Sequence, residues 1–212
     1  MPVFNTINTG TALVFCRASS LFMSSSSPFD IIQTKVMAEL PVFSCSLLDH
    51  TDVLLLAKVG LQELRDSHPD STPSNVMAEY MSPWKSHLLT EKLNPLIALV
   101  ALKIKSASRQ FFNMDLNELN FELAVSDCWT AVYEKTNYAI PHSHYPSDFS
   151  SVIYLDMEAE SAPIVFNHQL VVKPAIGSLV FFPGLLLHHV PKTEGKRTIV
   201  AINYIKVPRI VS

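Results

Sequence analysis

The sequence has few cysteines, and those present follow no recognised spacing. Cys16, Cys45 and Cys128 are an odd number of thiols and include no Cys-x-x-Cys pair, which argues against a disulfide framework and against a zinc ribbon. We therefore expect a reducing, intracellular compartment, the cytoplasm. Arg17 is the only charged residue within residues 1–27, a composition that leaves an N-terminal targeting segment open.

Clusters of positive charge and long apolar runs are also missing. No stretch holds five or more adjacent basic residues and the net charge is −3, so binding to nucleic acid is not expected. The longest apolar run near a terminus, residues 11–15, is too short to span a bilayer, which needs about 20 residues. We accordingly expect neither a transmembrane helix nor a membrane partner.

The composition is that of a folded globule. Of the 212 residues, 48% are hydrophobic and 17% are charged, a balance that excludes disorder for most of the chain. The length suits one domain that buries a full core without crosslinks. We expect a flexible N-terminal extension over residues 1–27 and a single domain over residues 28–212, and nothing in the sequence indicates an oligomeric state.

Helical periodicity dominates the first half of the chain. Apolar residues spaced about 3.6 apart predict a helix over Val53–Asp66, with Thr51 or Asp52 as its N-cap. A second helical stretch is predicted over Ser86–Arg109, interrupted or restarted at Pro95, because proline is tolerated in the first turn of a helix but not in its interior. Both helices are expected to cover one side of a sheet.

After Asn113 the apolar period changes to that of strands. Runs of β-branched and aromatic residues follow one another closely, with turn residues and no helix between them. This density of strands predicts a sandwich, a barrel or a jelly roll over about residues 116–207, supported by the helices of residues 50–112. The predicted strands are Val42–Leu47, Cys128–Tyr133, Tyr138–Ile140, Ser150–Leu155, Ile164–Phe166, Leu170–Lys173, Ser178–Phe182 and Thr198–Val207.

Two pairs of histidines lie beside predicted strands. His142 and His144 are one residue apart, so both imidazoles point to the same side of the sheet. His188 and His189 are adjacent, and since side chains alternate along a strand, only one of them can face His142. Three imidazoles from two distant strands would form a metal site. The remaining histidines are interpreted as structural or surface residues: His50, His68, His87 and His168.

A single arginine, Arg197, lies in an otherwise apolar predicted strand. A buried guanidinium is costly unless it meets an anion, and its best partner is a carboxylate, which it binds through two parallel hydrogen bonds. Because Arg197 follows His188 by nine residues, it should lie on the strand that returns past the metal site. The sequence thus predicts an anion site near the metal.

Taken in order, these motifs resemble those of the Fe(II)- and 2-oxoglutarate-dependent dioxygenases, particularly the prolyl-hydroxylase-like and the phage or marine bacterial branches. The resemblance covers about Trp129 to Tyr204, and it depends on the ordered set rather than on any one motif. The set consists of His142-Ser143-His144, the strand Val152–Leu155, the turn Gly177–Pro183, His188-His189-Val190 and Arg197.

The resemblance implies a fold, a cofactor and an activity. The fold would be mainly β, a double-stranded β-helix (a cupin-like jelly roll) with flanking N-terminal helices. His142, His144 and His188 would bind Fe(II), Arg197 would bind the distal carboxylate of the co-substrate 2-oxoglutarate, and Tyr133 or Tyr154 would contact that co-substrate. The activity would be hydroxylation of an unactivated C–H bond, with release of succinate and CO2.

One departure from the family pattern matters. His144 stands where the family usually has an aspartate, which leaves the iron site with one more positive charge than two histidines and a carboxylate. Asp148 is the nearest acid that could serve as the third ligand instead, but we favour His144 because it occupies the motif position. Two alternatives stay open, a cupin-like metalloenzyme without 2-oxoglutarate and a non-catalytic jelly-roll binding domain.

The substrate, a small molecule or a peptide, is not indicated by the sequence. It is expected to lie over the helical N-terminal half and the loop Tyr145–Phe149, neither of which has a pattern that specifies a ligand.

Overall fold

The computed structural model describes residues 13–15 and 39–209 of the chain. Most of the extension predicted over residues 1–27 lies outside the described residues, as does Cys16, so the flexibility of that extension stays a prediction. Its described part, β1 (Leu13–Phe15), pairs antiparallel with β2 (Glu39–Pro41).

The other strands form two antiparallel sheets. In chain order they are β3 (Phe43–Ser46), β4 (Val76–Met77), β5 (Tyr80–Met81), β6 (Phe121–Tyr133), β7 (Tyr138–His142), β8 (Phe149–Met157), β9 (Ile164–Phe166), β10 (Leu170–Val172), β11 (Ser178–Pro183), β12 (His188–Val190) and β13 (Arg197–Pro208). The larger sheet has the order β3-β11-β8-β13-β6-β5 and the smaller has the order β10-β9-β12-β7-β4. The predicted double-stranded β-helix is confirmed.

Both faces of the larger sheet are buried, which explains why its strands are nearly continuous apolar runs. Along β8, Val152 and Tyr154 point towards the smaller sheet and pack against Phe166, whereas Ile153 and Leu155 point towards the helices. The same alternation holds in β11 and β13, as the two-residue period of a strand requires. One face of each strand therefore lines the interior between the sheets, and the other supports the helices.

The two helices lie where the apolar period predicts them, with shifted ends. α1 runs over Thr51–Ser67 and α2 over Asn94–Phe112, and three short 3-10 turns precede or connect them over Leu48–His50, Ser86–Leu88 and Glu91–Leu93. The restart at Pro95 is confirmed, since this residue lies in the first turn of α2. The N-cap prediction for α1 is wrong: Thr51 and Asp52 lie within the helix, because the preceding 3-10 turn already starts the helical path.

Some strands were not visible in the sequence. β4 and β5 lie between the helices, yet β4 pairs with β7 and β5 pairs with β6. Two residues are too few to show a period, so only pairing with longer strands defines them. The strand predicted over Cys128–Tyr133 is also longer in the structure, where β6 begins at Phe121.

Two further observations concern the thiols and the helices. Cys45 and Cys128 are free thiols, and burial raises the pKa of Cys128 to about 12, so this cysteine acts as a small apolar core residue. Neither helix in the described part of the chain combines the length and apolarity that a membrane crossing requires.

The contact between α2 and the larger sheet gives the first prediction. Leu96 is fully buried in this contact, whereas Leu102 on the same helix is 64% exposed. Leu96→Ala should lower the free energy of unfolding by about 2–5 kcal/mol because it leaves a cavity. Leu102→Ala, the matched control, should change it by less than about 0.5 kcal/mol. Urea denaturation measures both, and equal effects would contradict this packing.

Candidate functional site

Three histidines meet at one end of two inner strands of the smaller sheet. His142 ends β7 and His188 begins β12, and the two are direct cross-strand partners in this antiparallel pair. Their ring centroids are 4.3 Å apart, and the ring of His144 lies 5.0 Å from each of them. One potential ligand atom from each residue lies within 4.8 Å of the others. The register of two strands therefore brings together the three residues that the sequence predicts.

Backbone carbonyls orient two of the rings. Nδ1 of His142 lies 2.7 Å from the carbonyl oxygen of Ile140, and Nδ1 of His188 lies 3.0 Å from that of Leu186. A carbonyl oxygen only accepts, so each Nδ1 must carry the proton of the neutral ring. Nε2 of both residues is then unprotonated and can bind a metal ion.

Burial keeps the three imidazoles neutral. Desolvation, together with the neighbouring rings, lowers the pKa of His144 to about 2 and that of His188 to about 3, and desolvation also lowers the pKa of His142. Since metal ligands must be deprotonated, no proton has to leave these rings at neutral pH before a metal binds. The cluster is suited to a divalent cation.

Aromatic rings surround the cluster. Phe182 and Phe166 lie 4.8 Å and 5.8 Å from the ring of His188, and Trp129 lies 5.6 Å from the ring of His144, measured between centroids. These side chains come from the strand faces that line the space between the sheets. Such an apolar wall limits water access and tunes a metal ion bound there.

Asp148 does not join the histidines. Its carboxylate accepts a hydrogen bond from the backbone N–H of Lys206 at 2.7 Å and forms an ion pair with Nζ of the same residue at 3.0 Å. Within residues 39–209, the cluster that could hold a metal consists of histidines alone. The structure thus groups His144, rather than Asp148, with His142 and His188.

The second histidine of the later pair faces away from the cluster. His189 is on the opposite face of β12 from His188, and its ring lies 4.9 Å from that of His168. This follows the alternation expected along a strand. The histidines interpreted from the sequence as structural or surface residues lie outside the cluster.

Arg197 begins β13 and is 1% exposed. Its guanidinium carbon lies 4.2 Å from the centre of the Tyr133 ring, and Nη1 donates to the carbonyl oxygen of Ala162 at 2.8 Å. Nε has no hydrogen-bond partner, and no carboxylate of residues 39–209 lies within ion-pair distance of the side chain. A buried cation without a counter-charge is costly, so this position favours an anion.

Two buried tyrosines accompany the arginine. Tyr133 is the cross-strand partner of Arg197 on β6, and Tyr154 lies on β8, the other neighbour of β13. Burial raises the pKa of Tyr154 to about 12 and also raises the pKa of Tyr133. In both tyrosines this effect outweighs the positive charge of Arg197, which lowers the pKa. Both phenols therefore stay protonated at neutral pH and can donate a hydrogen bond to an anion. The structure groups all three residues that the family resemblance assigns to the co-substrate.

Two residues near the histidines were not found by sequence reasoning. Asn203 on β13 lies 3.3 Å from His144, measured from Nδ2 to Nδ1. A signal exists, because Asn203 is a polar residue with the same strand parity as Arg197 in an apolar run. Gly184 accepts a hydrogen bond from the backbone N–H of His144 at 2.7 Å, and a Cβ there would lie 2.1 Å from the carbonyl oxygen of Ser147. Only glycine permits this close approach.

Solved structures share this fold. A Trichoplax adhaerens prolyl hydroxylase, in complex with a hypoxia inducible factor oxygen degradation domain peptide fragment, has a TM-score of 0.57 and 14% identity, covering 77% of this chain and 83% of its own. A 2OG-Fe(II) oxygenase family oxidoreductase from Burkholderia pseudomallei has a TM-score of 0.56 and 14% identity, with 77% and 85% covered. A Pseudomonas putida prolyl-4-hydroxylase has a TM-score of 0.54 and 17% identity, with 79% and 92% covered.

No protein-family model matches the sequence, and no curated protein matches it. At such low identities the structural likeness shows the fold alone. The resemblance stated from the sequence motifs is confirmed at that level, and the roles of the individual site residues stay predictions.

The histidine geometry predicts which substitutions remove a metal. His142→Ala and His188→Ala should each weaken Fe(II) binding by more than about 100-fold, since loss of a residue that merely orients a ligand already costs 10–100-fold. His189→Ala, the matched control on the same strand, should bind as the wild type does. Iron stoichiometry and affinity under anaerobic conditions measure this. Retention of metal by His188→Ala with loss in His189→Ala would place the opposite face of β12 at the site.

The third position gives a separate prediction. His144→Asp should retain Fe(II), because it supplies a carboxylate ligand from the same backbone position, whereas His144→Ala should lose it. Asp148→Ala should leave metal affinity nearly unchanged, because its carboxylate is engaged by Lys206. The same anaerobic titration compares all three variants. Loss of iron in Asp148→Ala, with a wild-type affinity in His144→Ala, would transfer the ligand role to Asp148.

Proposed function

We propose that this chain is a non-haem Fe(II)- and 2-oxoglutarate-dependent dioxygenase that hydroxylates its substrate. The observation that carries the proposal is the combination of a histidine cluster with a buried arginine that has no counter-anion among residues 39–209, within the fold of the prolyl hydroxylases and 2OG-Fe(II) oxygenases. Fold alone does not imply function, so the proposal depends on the chemistry of these side chains.

The histidines fit an iron ion. Imidazole nitrogen is a suitable ligand for Fe(II), as it is for zinc, copper and nickel. His142, His144 and His188 would hold the ion, and their neutral state requires no proton release at neutral pH. Because none of the three carries a negative charge, the bound ion would keep its full positive charge and would attract an anionic co-substrate strongly.

Arg197 and the tyrosines fit the co-substrate. 2-Oxoglutarate ends in a carboxylate, the group that a guanidinium binds best through paired hydrogen bonds. The unpartnered Nε of Arg197 is one donor that such a carboxylate would satisfy, and the protonated hydroxyl groups of Tyr133 and Tyr154 could supply others. A dicarboxylate would thus remove the uncompensated charge that the protein alone leaves buried.

The bound iron and co-substrate would contribute one part of the reaction, and the protein would contribute another. Iron and 2-oxoglutarate, when bound, would activate O2, so that one oxygen atom hydroxylates an unactivated C–H bond and the other enters succinate, with release of CO2. The protein holds the metal with three imidazoles and anchors the co-substrate carboxylate at Arg197. Its aromatic walls, formed by Phe166, Phe182 and Trp129, keep bulk water away from the reacting groups.

The substrate would enter beside the histidines. Tyr145, directly after His144, is 79% exposed, and Leu187, directly before His188, is 37% exposed. Exposed apolar side chains next to a site favour a ligand with apolar surface, which suits either a peptide or a small molecule. The Trichoplax adhaerens prolyl hydroxylase, which has a similar fold, was solved in complex with a peptide fragment.

One observation favours a second candidate. A site of three histidines without a carboxylate also suits a cupin-like metalloenzyme that does not use 2-oxoglutarate. That candidate gives no reason for a buried Arg197, so the two are separated by co-substrate binding. Succinate formation that depends on both iron and 2-oxoglutarate is the decisive test of activity, and it also excludes a non-catalytic binding domain.

The co-substrate anchor gives a quantitative prediction. Arg197→Ala should weaken 2-oxoglutarate binding while iron binding stays nearly intact, because Arg197 is not in the histidine cluster. Loss of one partner from a buried charge pair costs roughly 2–5 kcal/mol, which is about thirty-fold to several-thousand-fold in affinity. Lys196→Ala is the matched control, since Lys196 is the adjacent cation but is half-exposed and paired with Glu134.

The measurement is a titration of 2-oxoglutarate into the anaerobic Fe(II) protein, followed by the charge-transfer absorption band that the family resemblance implies. The wild type and Lys196→Ala should bind with similar affinity. If the wild type holds iron but shows neither the band nor binding, the 2-oxoglutarate proposal fails and the cupin-like candidate takes its place.

A further inference from the structure

The side-chain amide of Asn203 is incompletely hydrogen-bonded beside the histidine cluster. It is 4% exposed, and its amide nitrogen Nδ2 lies 3.3 Å from Nδ1 of His144. Its amide oxygen Oδ1 is buried and has no hydrogen-bond partner among the described residues. A buried carbonyl oxygen without a donor is costly and rare. The amide is therefore in an orientation that leaves one of its own groups unsatisfied.

The same orientation conflicts with metal binding by His144. An amide Nδ2 only donates, so Nδ1 of His144 would have to be the acceptor and the ring proton would sit on Nε2. In His142 and His188 the proton sits on Nδ1, because each faces a backbone carbonyl oxygen. His144 would then be the one ring of the three whose Nε2 cannot bind a metal.

A half-turn of the Asn203 amide removes the conflict with metal binding by His144. It exchanges Oδ1 and Nδ2 in nearly the same space and places the oxygen beside Nδ1 of His144. Oδ1 then accepts a hydrogen bond from Nδ1–H, and Nε2 of His144 becomes free to bind. All three rings then have the same pattern, with Nδ1 donating to an oxygen and Nε2 unprotonated and free to bind a metal ion.

We propose that Asn203 is the positioning residue of the third metal ligand, with its amide oxygen holding the proton of His144 on Nδ1. This inference rests on the metal site of the proposed function. It also accounts for the departure from the family motif, since a carboxylate has no tautomers to select, whereas a histidine at this position needs an acceptor for its second nitrogen. In His142 and in His188, Nδ1 donates a hydrogen bond to a backbone carbonyl oxygen. For His144, the amide oxygen of Asn203 is the corresponding acceptor.

The first test reads the tautomer without metal. Long-range ¹⁵N–¹H NMR spectra of the apo protein at pH 7 distinguish a histidine protonated on Nδ1 from one protonated on Nε2. In the wild type, His144 should be protonated on Nδ1, as His142 and His188 should be. In Asn203→Leu, which is similar in size and has no acceptor, the Nε2-protonated form should become populated. A wild-type His144 protonated on Nε2 overturns the proposal, whether or not the variant folds.

The second test reads metal affinity with Co(II), which requires no turnover. Asn203→Leu should bind Co(II) about 10–100-fold more weakly than the wild type, the usual cost of losing a group that orients a ligand. Asn203→Asp, in which both side-chain oxygens accept, should restore binding to at least the wild-type level and keep His144 protonated on Nδ1. Ser150→Ala is the matched control, because Ser150 is the cross-strand partner of Asn203 and also has a buried hydroxyl without a partner.

The outcomes separate this inference from the proposed function. Wild-type Co(II) affinity in Asn203→Leu, together with loss in His144→Ala, overturns the role of Asn203 and leaves the metal site in place. Equal weakening in Asn203→Leu and Ser150→Ala, with no change of tautomer, means a merely structural role and also overturns it. Wild-type affinity in His144→Ala means that the metal site itself is wrong.

Discussion

The register between β7 and β12 is the constraint on which the site depends. Because these strands are antiparallel and His142 lies opposite His188, their side chains share one face at the short distance of a cross-strand pair. A shift by one residue would turn His189 inwards and send His188 to the face where His168 lies. β12 also pairs with β9 on its other side, where His188 lies opposite Phe166. The register of β12 is therefore fixed by a neighbouring strand on each side.

The larger sheet supplies the rest of the site from its inner face. Tyr133, Tyr154 and Arg197 lie on three neighbouring strands, and the alternation that turns them inwards turns Ile153 and Val200 outwards against the helices. The apolar contact with α1 and α2 therefore stabilises the sheet without occupying the interior. This arrangement lets the chain keep a buried cation between the sheets while a separate apolar cluster packs between the larger sheet and the helices.

The motifs that the sequence revealed are local, and the features it missed depend on distant partners. Strand parity and spacing pointed to His142, His144, Arg197 and one member of the pair His188-His189, and the family resemblance selected His188. The proline at position 95 located the restart of α2. The strands β4 and β5 exist only through pairing with longer strands, and the role of Asn203 depends on a contact with a residue 59 positions away. No periodicity encodes such a contact.

Charge links the histidine cluster to the arginine. Three neutral imidazoles leave a bound divalent ion with two positive charges, and Arg197 adds a third within the same apolar interior. An aspartate in place of His144 would offset one of these positive charges within the protein itself. With histidine at this position, a bound anion would have to offset them. A dianion such as 2-oxoglutarate would offset two of the three. Metal and dianion would then each favour binding of the other, since coupling between two sites is reciprocal. In the proposed site, a histidine in place of a carboxylate ligand would thus move part of the charge balance from the protein to the bound co-substrate.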